Sequence, residues 1–203
     1  GSSPWGDDCS YAALAADVVA LLDRLALGPV HLVGHSMGGK AAMRLVMDRP
    51  DLVARLTIVD IAPRAYSDRV RVEFAAMNAL DLSAVKSRKD AEEKLAAQVS
   101  EWGMRQFILT NLGQDAEGRW RWTVNREALT NSLPEILGNP LSAGEVWDGP
   151  TRFLRGGKSN YIRDEDLADI RAHFPRADVI TLPDSGHNPH FEARAGFVEA
   201  TLA

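Results

Sequence analysis

Apolar positions along the chain alternate between two rhythms. Leu14, Val18, Leu21, Leu22 and Leu25 recur at helical spacing within residues 11–27, and Ser10 stands where an N-cap is expected. Gly28-Pro29 closes that segment, with Gly28 expected in the left-handed position after the last turn. Val30-His31-Leu32-Val33 is short and apolar, as a buried parallel strand is. After the glycine-rich stretch Gly34 to Gly39, residues 41–47 return to the helical rhythm, and Leu56-Thr57-Ile58-Val59-Asp60 reads as a second buried strand. Strand, helix, strand implies right-handed crossovers and a parallel sheet.

The rhythm changes between Pro63 and Trp147. Helical stretches over about residues 65–80, 89–98, 104–112 and 126–137 dominate there, and no strand is expected. The earlier pattern then resumes: strand 151–155, helix 164–174, strand 178–182 and helix 191–202. The expected organisation is an α/β core made by residues 1–62 and 148–203, carrying a helical cap inserted over residues 63–147.

Composition narrows the function classes. At 203 residues the chain suffices for one well-buried domain with an excursion. The net charge is −5 and basic residues such as Arg119, Arg121 and Arg126 are scattered, so no nucleic-acid partner is expected. A single cysteine, Cys9, excludes a disulfide within the chain and a cysteine metal cluster. No run approaches the ~18 to 20 apolar residues of a membrane-spanning helix. A cytoplasmic protein acting on a small molecule, with neither cofactor nor metal, is expected.

Chemistry enters at Gly34-x-Ser36-x-Gly38, placed between a strand and a helix. That context lets a serine sit on a sharp turn with its hydroxyl projecting from the sheet edge, provided the backbones pass close together at Gly34 and Gly38. The serine then lies at a helix N-terminus, where free N–H groups favour a developing oxyanion, Met37 supplying the first. The second element is Asp184-Ser185-Gly186-His187, between the last strand and the last helix, where a hydrolase of this order carries its histidine base. His190 could stand behind it, His31 and His35 read as structural, and His173 closes a helix. His35 is also retained as a candidate substrate contact.

Val30 to Lys40 (VHLVGHSMGGK), Val59-Asp60-Ile61-Ala62-Pro63, Gly156 to Tyr161 (GGKSNY) and Gly186 to His190 (GHNPH) together resemble the YbfF-type esterases of the α/β-hydrolase fold. The resemblance spans essentially the whole chain and implies hydrolysis of acyl esters or thioesters, acyl-CoA among them. It also aligns Gly1-x-Ser3-Pro4 with the loop after the fourth strand of that fold. By that alignment about the first quarter of the family's length is absent, with the strand beside residues 30–33 and the loop giving the second oxyanion N–H.

The acid is less obvious. The loop after residues 151–155 offers Ser159 and Asn160, neither of which carries a charge, while Asp164 and Asp166 look like a helix N-terminal cluster. Asp60 lies at the carboxyl end of a strand, where functional groups gather in open parallel sheets. The resemblance also implies an acid at the Val-Asp-Ile position. The expected triad is Ser36, His187 and Asp60, working through an acyl-enzyme. Met77, Trp102, Met104, Phe107, Ile108 and Leu112 are candidates to line an acyl pocket, with Trp102, Phe107 and Ile108 carried as substrate contacts. Two other readings stay open: a non-catalytic binding protein on the same fold, and a C–C hydrolase or cofactor-free haloperoxidase.

Overall fold

The computed structural model describes residues 6–67, 71–100 and 102–203. The opening Gly1-x-Ser3-Pro4 and part of the expected helix 65–80 lie outside the described residues.

In chain order the elements begin with α1 (Tyr11–Arg24), β1 (Val30–His35), α2 (Met37–Asp48) and β2 (Val53–Val59). There follow α3 (Arg71–Ala79), α4 (Arg88–Leu95), α5 (Trp102–Leu109), β3 (Leu112–Gln114), β4 (Trp120–Trp122), α6 (Arg126–Asn131) and α7 (Leu133–Leu137). The chain ends with β5 (Thr151–Gly156), α8 (Leu167–His173), β6 (Ala177–Leu182), α9 (Pro189–Glu192) and α10 (Arg194–Leu202).

Two compact units result. The α/β unit comprises Ser10–Tyr66 and Gly138–Ala203, and the inserted unit comprises the described residues of 67–137 together with residues 6–9. This division moves the expected boundaries inward. Leu141 and Trp147 are buried in the core of the α/β unit and Tyr66 packs against it, so their segments belong there and not to the insertion.

The α/β unit holds a four-stranded parallel sheet in the order β1-β2-β5-β6. Beside it lies a core that includes Met43, Leu45 and Val46 of α2, Leu56 and Ile58 of β2, and Phe153 and Phe174. Burial of such side chains contributes about 1.5–3 kcal/mol each and fixes the strands the site hangs from. Helix α1 starts as expected, with Ser10 Oγ accepting from the Ala13 N–H at 3.2 Å. It ends differently. Ala26, not Gly28, takes the left-handed conformation (φ 50°), and the N–H groups of Ala26 and Leu27 bond back to Asp23 and Leu22.

The inserted unit has its own core of Ala76, Met77, Leu95, Ile108, Leu109, Leu112 and Trp122, among others. Contrary to the all-helical expectation it contains an antiparallel hairpin, β3 with β4, three residues on each side. Three-residue strands are too short to print an alternating pattern, and Leu112 continues the apolar spacing of the helical run before it.

One buried cation marks the α/β unit. Lys40, only 1% exposed, donates from Nζ to the Gly138 carbonyl and lies 4.7 Å from the centre of the Tyr66 ring and 5.5 Å from that of Tyr11. Burial, with Arg64 as a like-charged neighbour, lowers its pKa from 10.5 to about 8. Burial also pushes Tyr66 from 10.0 up to about 12. Between pH 8 and 10.5 the unfolded chain keeps a proton on Lys40 that the folded chain has released, so stability should rise with pH in that window. Above pH 10 Tyr66 acts in reverse, because the unfolded chain loses its proton first. Urea denaturation of the chain and of Lys40→Met at several pH values checks this. The substitution should remove the rise above pH 8, and equal slopes in both proteins would refute the assignment.

Candidate active site

The parallel register sets the site. In β1 and β2 the last paired residues are His35 and Val59, so the residues that follow, Ser36 and Asp60, leave neighbouring strands at the same edge. Ser36 N–H donates to Val59 O at 3.0 Å, and Asp60 N–H donates to Leu154 O of β5 at 2.8 Å. Both residues have positive φ, 51° for Ser36 and 49° for Asp60, which costs on the order of 1–3 kcal/mol each. The hydrogen bonds to adjacent strands and the packed core beneath hold these conformations in place.

The tight turn has a different glycine logic from the motif. A Cβ on Gly34 would lie 2.5 Å from Gly38 O, so the approach of strand and helix backbones does require glycine there. A Cβ on Gly38 would meet nothing within 4 Å. The second crowded position is Gly39, where a Cβ would lie 2.6 Å from Ile61 Cγ2 and 3.0 Å from Gly34 O. Met37 opens α2, where the first N–H groups have no intrahelical acceptor.

His187 arrives on the loop after β6 and meets both strand-end residues. Its Nδ1 lies 2.9 Å from Asp60 Oδ2 and its Nε2 3.0 Å from Ser36 Oγ. An ionised carboxylate only accepts, so the tautomer that satisfies both contacts has Nδ1–H donating to Asp60 and Nε2 accepting from the serine hydroxyl. Asp60 is fully buried, and its other oxygen, Oδ1, accepts the Gly156 N–H at 3.0 Å. The Ser159 hydroxyl donates to Asp60 Oδ2 beside the imidazole. Asp164, by contrast, has a side chain 86% exposed and pairs with Arg155. Asp166 is buried against Arg64.

Three residues around this centre escaped the sequence reading. Ser159 carries no charge, yet its hydroxyl donates to the buried Asp60 carboxylate. Glu192 accepts the N–H groups of Gly186 and Asn188 at 2.7 and 3.0 Å, clamping both sides of His187. The available signal was an acidic residue in the first turn after the loop, a position that suits N-terminal capping. Tyr161 stacks on the His187 ring.

Among the sequence candidates for substrate contact, His35 uses its Nε2–H to donate to the His187 carbonyl at 2.7 Å. Burial pulls His35 below the ordinary imidazole range, against the opposing effect of that hydrogen bond, with repulsion between its charged form and the neighbouring His187 and His190 rings adding to the depression. Ile108 is 2% exposed within the inserted unit's own core, and Met77 and Leu112 are buried there too. Trp102 and Phe107 are each 65% exposed.

The pattern of the alpha/beta hydrolase family matches residues 1–200. The chain is 40% identical over 209 residues to the sn-1-specific diacylglycerol lipase ABHD11 of Mus musculus, covering 100% of this chain and 67% of that protein. It is 35% identical over 193 residues to esterase YbfF of Escherichia coli K12, covering 95% of this chain and 73% of that protein. Among solved structures, a marine microorganism esterase superposes with a TM-score of 0.95 at 33% identity, over 100% of this chain and 80% of that one. The chain spans about two thirds of the length of the vertebrate relatives it matches. Likeness of this extent, in sequence and in fold, leads to one conclusion: the chain belongs to the alpha/beta hydrolase family.

Proposed function

We propose that the chain is a serine hydrolase that cleaves carboxylic esters or acyl thioesters, with Ser36 as nucleophile, His187 as base and Asp60 as the acid orienting it. The observation that carries this reading is the continuous series from buried Asp60 through His187 to Ser36, at 2.9 and 3.0 Å. As Ser36 Oγ attacks the acyl carbon, its proton passes to His187 Nε2, and Asp60 stabilises the imidazolium. The carbonyl electrons move to oxygen, and the N–H of Met37, the first residue of α2, stabilises that charge. Collapse breaks the bond to the leaving group, which takes the proton from His187. Water then repeats the cycle on the acyl-enzyme and releases the acid. No step needs a metal or a redox group.

Relatives called esterase and diacylglycerol lipase support an ester as the bond cleaved. A thioester, acyl-CoA included, places the same carbonyl before the same nucleophile. A fluorophosphonate probe combined with a panel of p-nitrophenyl esters and acyl-CoAs tests the proposal. The expected result is covalent labelling at Ser36 and turnover of the ester series. A folded protein that neither labels nor turns over any member would favour a non-catalytic binding role.

A further inference from the structure

We propose that Tyr161 is a positioning residue for His187, its ring face stabilising the imidazolium that forms during the reaction; this rests on the serine-hydrolase reading above. The two rings stack with centroids 3.7 Å apart and planes 18° from parallel. For two neutral rings such a face-to-face arrangement is unfavourable relative to an offset or edge-on one, because their quadrupoles repel. A cation over the same ring face is attracted. The contact is therefore weak when His187 is neutral and strong when it holds the proton of Ser36, and only such a difference accelerates a reaction.

The rest of the arrangement holds that geometry. His187 has both edges occupied, Nδ1 by Asp60 and Nε2 by Ser36, so its remaining freedom is tilt about the line joining them. Tyr161 limits that tilt from one face. Its own backbone is tied on both sides: the N–H donates to Ser159 Oγ at 3.2 Å and the carbonyl accepts from the Tyr66 hydroxyl at 2.6 Å. That hydroxyl also accepts the Ala62 N–H at 2.8 Å, so a single side chain links the segment after Asp60 to the one carrying Tyr161. Arg64 lies 3.9 Å above the Tyr66 ring and steadies it. The acid, the base and the stacking ring thus share one hydrogen-bonded cluster.

Steady-state kinetics of the full chain test the proposal through a graded series at position 161: Tyr161→Phe, phenylalanine analogues carrying one to five ring fluorines, and Tyr161→Leu. Fluorine drains the ring face of negative potential while changing its size little. Tyr161→Phe should keep most of the rate. Successive fluorination should lower kcat stepwise, and Tyr161→Leu should lower it roughly 3- to 30-fold with KM nearly constant. A merely structural ring would be indifferent to fluorination. Ser36-dependent hydrolysis with a flat fluorine series would overturn the role of Tyr161 and leave the hydrolase reading standing. Hydrolysis that survives Ser36→Ala would overturn both.

Discussion

Alanine in place of Ser36 or His187 is expected to lower kcat by roughly 10⁴- to 10⁶-fold, with each single variant nearly as impaired as the double. The size follows from how the groups are joined. Ser36 Oγ lies 3.0 Å from His187 Nε2, and Ser36 has no other base among its hydrogen-bond partners in the described residues. Without His187 the hydroxyl must attack with its proton still attached; without Ser36 the base has nothing positioned to deprotonate. Their losses therefore overlap and do not add. The helix start at Met37 survives both changes, so a residual rate above the uncatalysed reaction should persist. The checks are kcat of the two single variants and the double on one p-nitrophenyl ester, together with loss of probe labelling in Ser36→Ala. Unimpaired turnover by Ser36→Ala would sink the mechanism.

The parts legible in the sequence were those written into contiguous residues. The Val30–Val33 run, the glycine-flanked Ser36 and the helix beyond it form one local unit, so pattern and turn chemistry agreed there, although β1 is the outer strand of the four and Val33 is exposed, not buried as expected. Asp60 was legible because it directly follows β2, and His187 because it lies on the loop after the last strand, where a parallel sheet collects strand ends at one edge. What escaped reading depends on contacts distant in sequence. Ser159 and Asp60 are 99 residues apart, and nothing local at Ser159 announces that its hydroxyl turns toward a buried carboxylate. Gly39 was overlooked because the motif names Gly38, although the side chain that crowds the turn, Ile61, comes from the segment after β2. Ala26 carries the helix stop although Gly28 is the residue better suited to it, so propensity was overruled by where the chain had to turn. The last helix was expected to be continuous, but it breaks at Ala193 between α9 and α10, which a periodic apolar pattern passes over.

Asp60→Asn is expected to cost on the order of 10³- to 10⁴-fold in kcat, whereas Asp164→Asn should change it less than about twofold. The carboxylate of Asp60 accepts from Gly156 N–H at Oδ1 and from both the Ser159 hydroxyl and His187 Nδ1–H at Oδ2. An asparagine has one acceptor oxygen and one donating NH₂ group for those positions. Gly156 is a backbone donor that cannot reverse, so the amide oxygen is held toward it and the NH₂ faces Ser159 and His187. Ser159 can rotate its hydroxyl to accept. His187 can accommodate the NH₂ only by moving its proton to Nε2, and that nitrogen then no longer accepts the proton of Ser36. The opposite amide orientation would set NH₂ against a buried N–H, a penalty of about 1–3 kcal/mol. Either orientation also removes the negative charge that stabilises the imidazolium. Asp164 meets none of these conditions, being largely exposed and paired with Arg155 at the surface. Kinetics of the two variants, with thermal melting to confirm that both fold, decide the matter. A large loss in Asp164→Asn with little in Asp60→Asn would assign the acid to the later loop and remove Asp60 from the proposed triad.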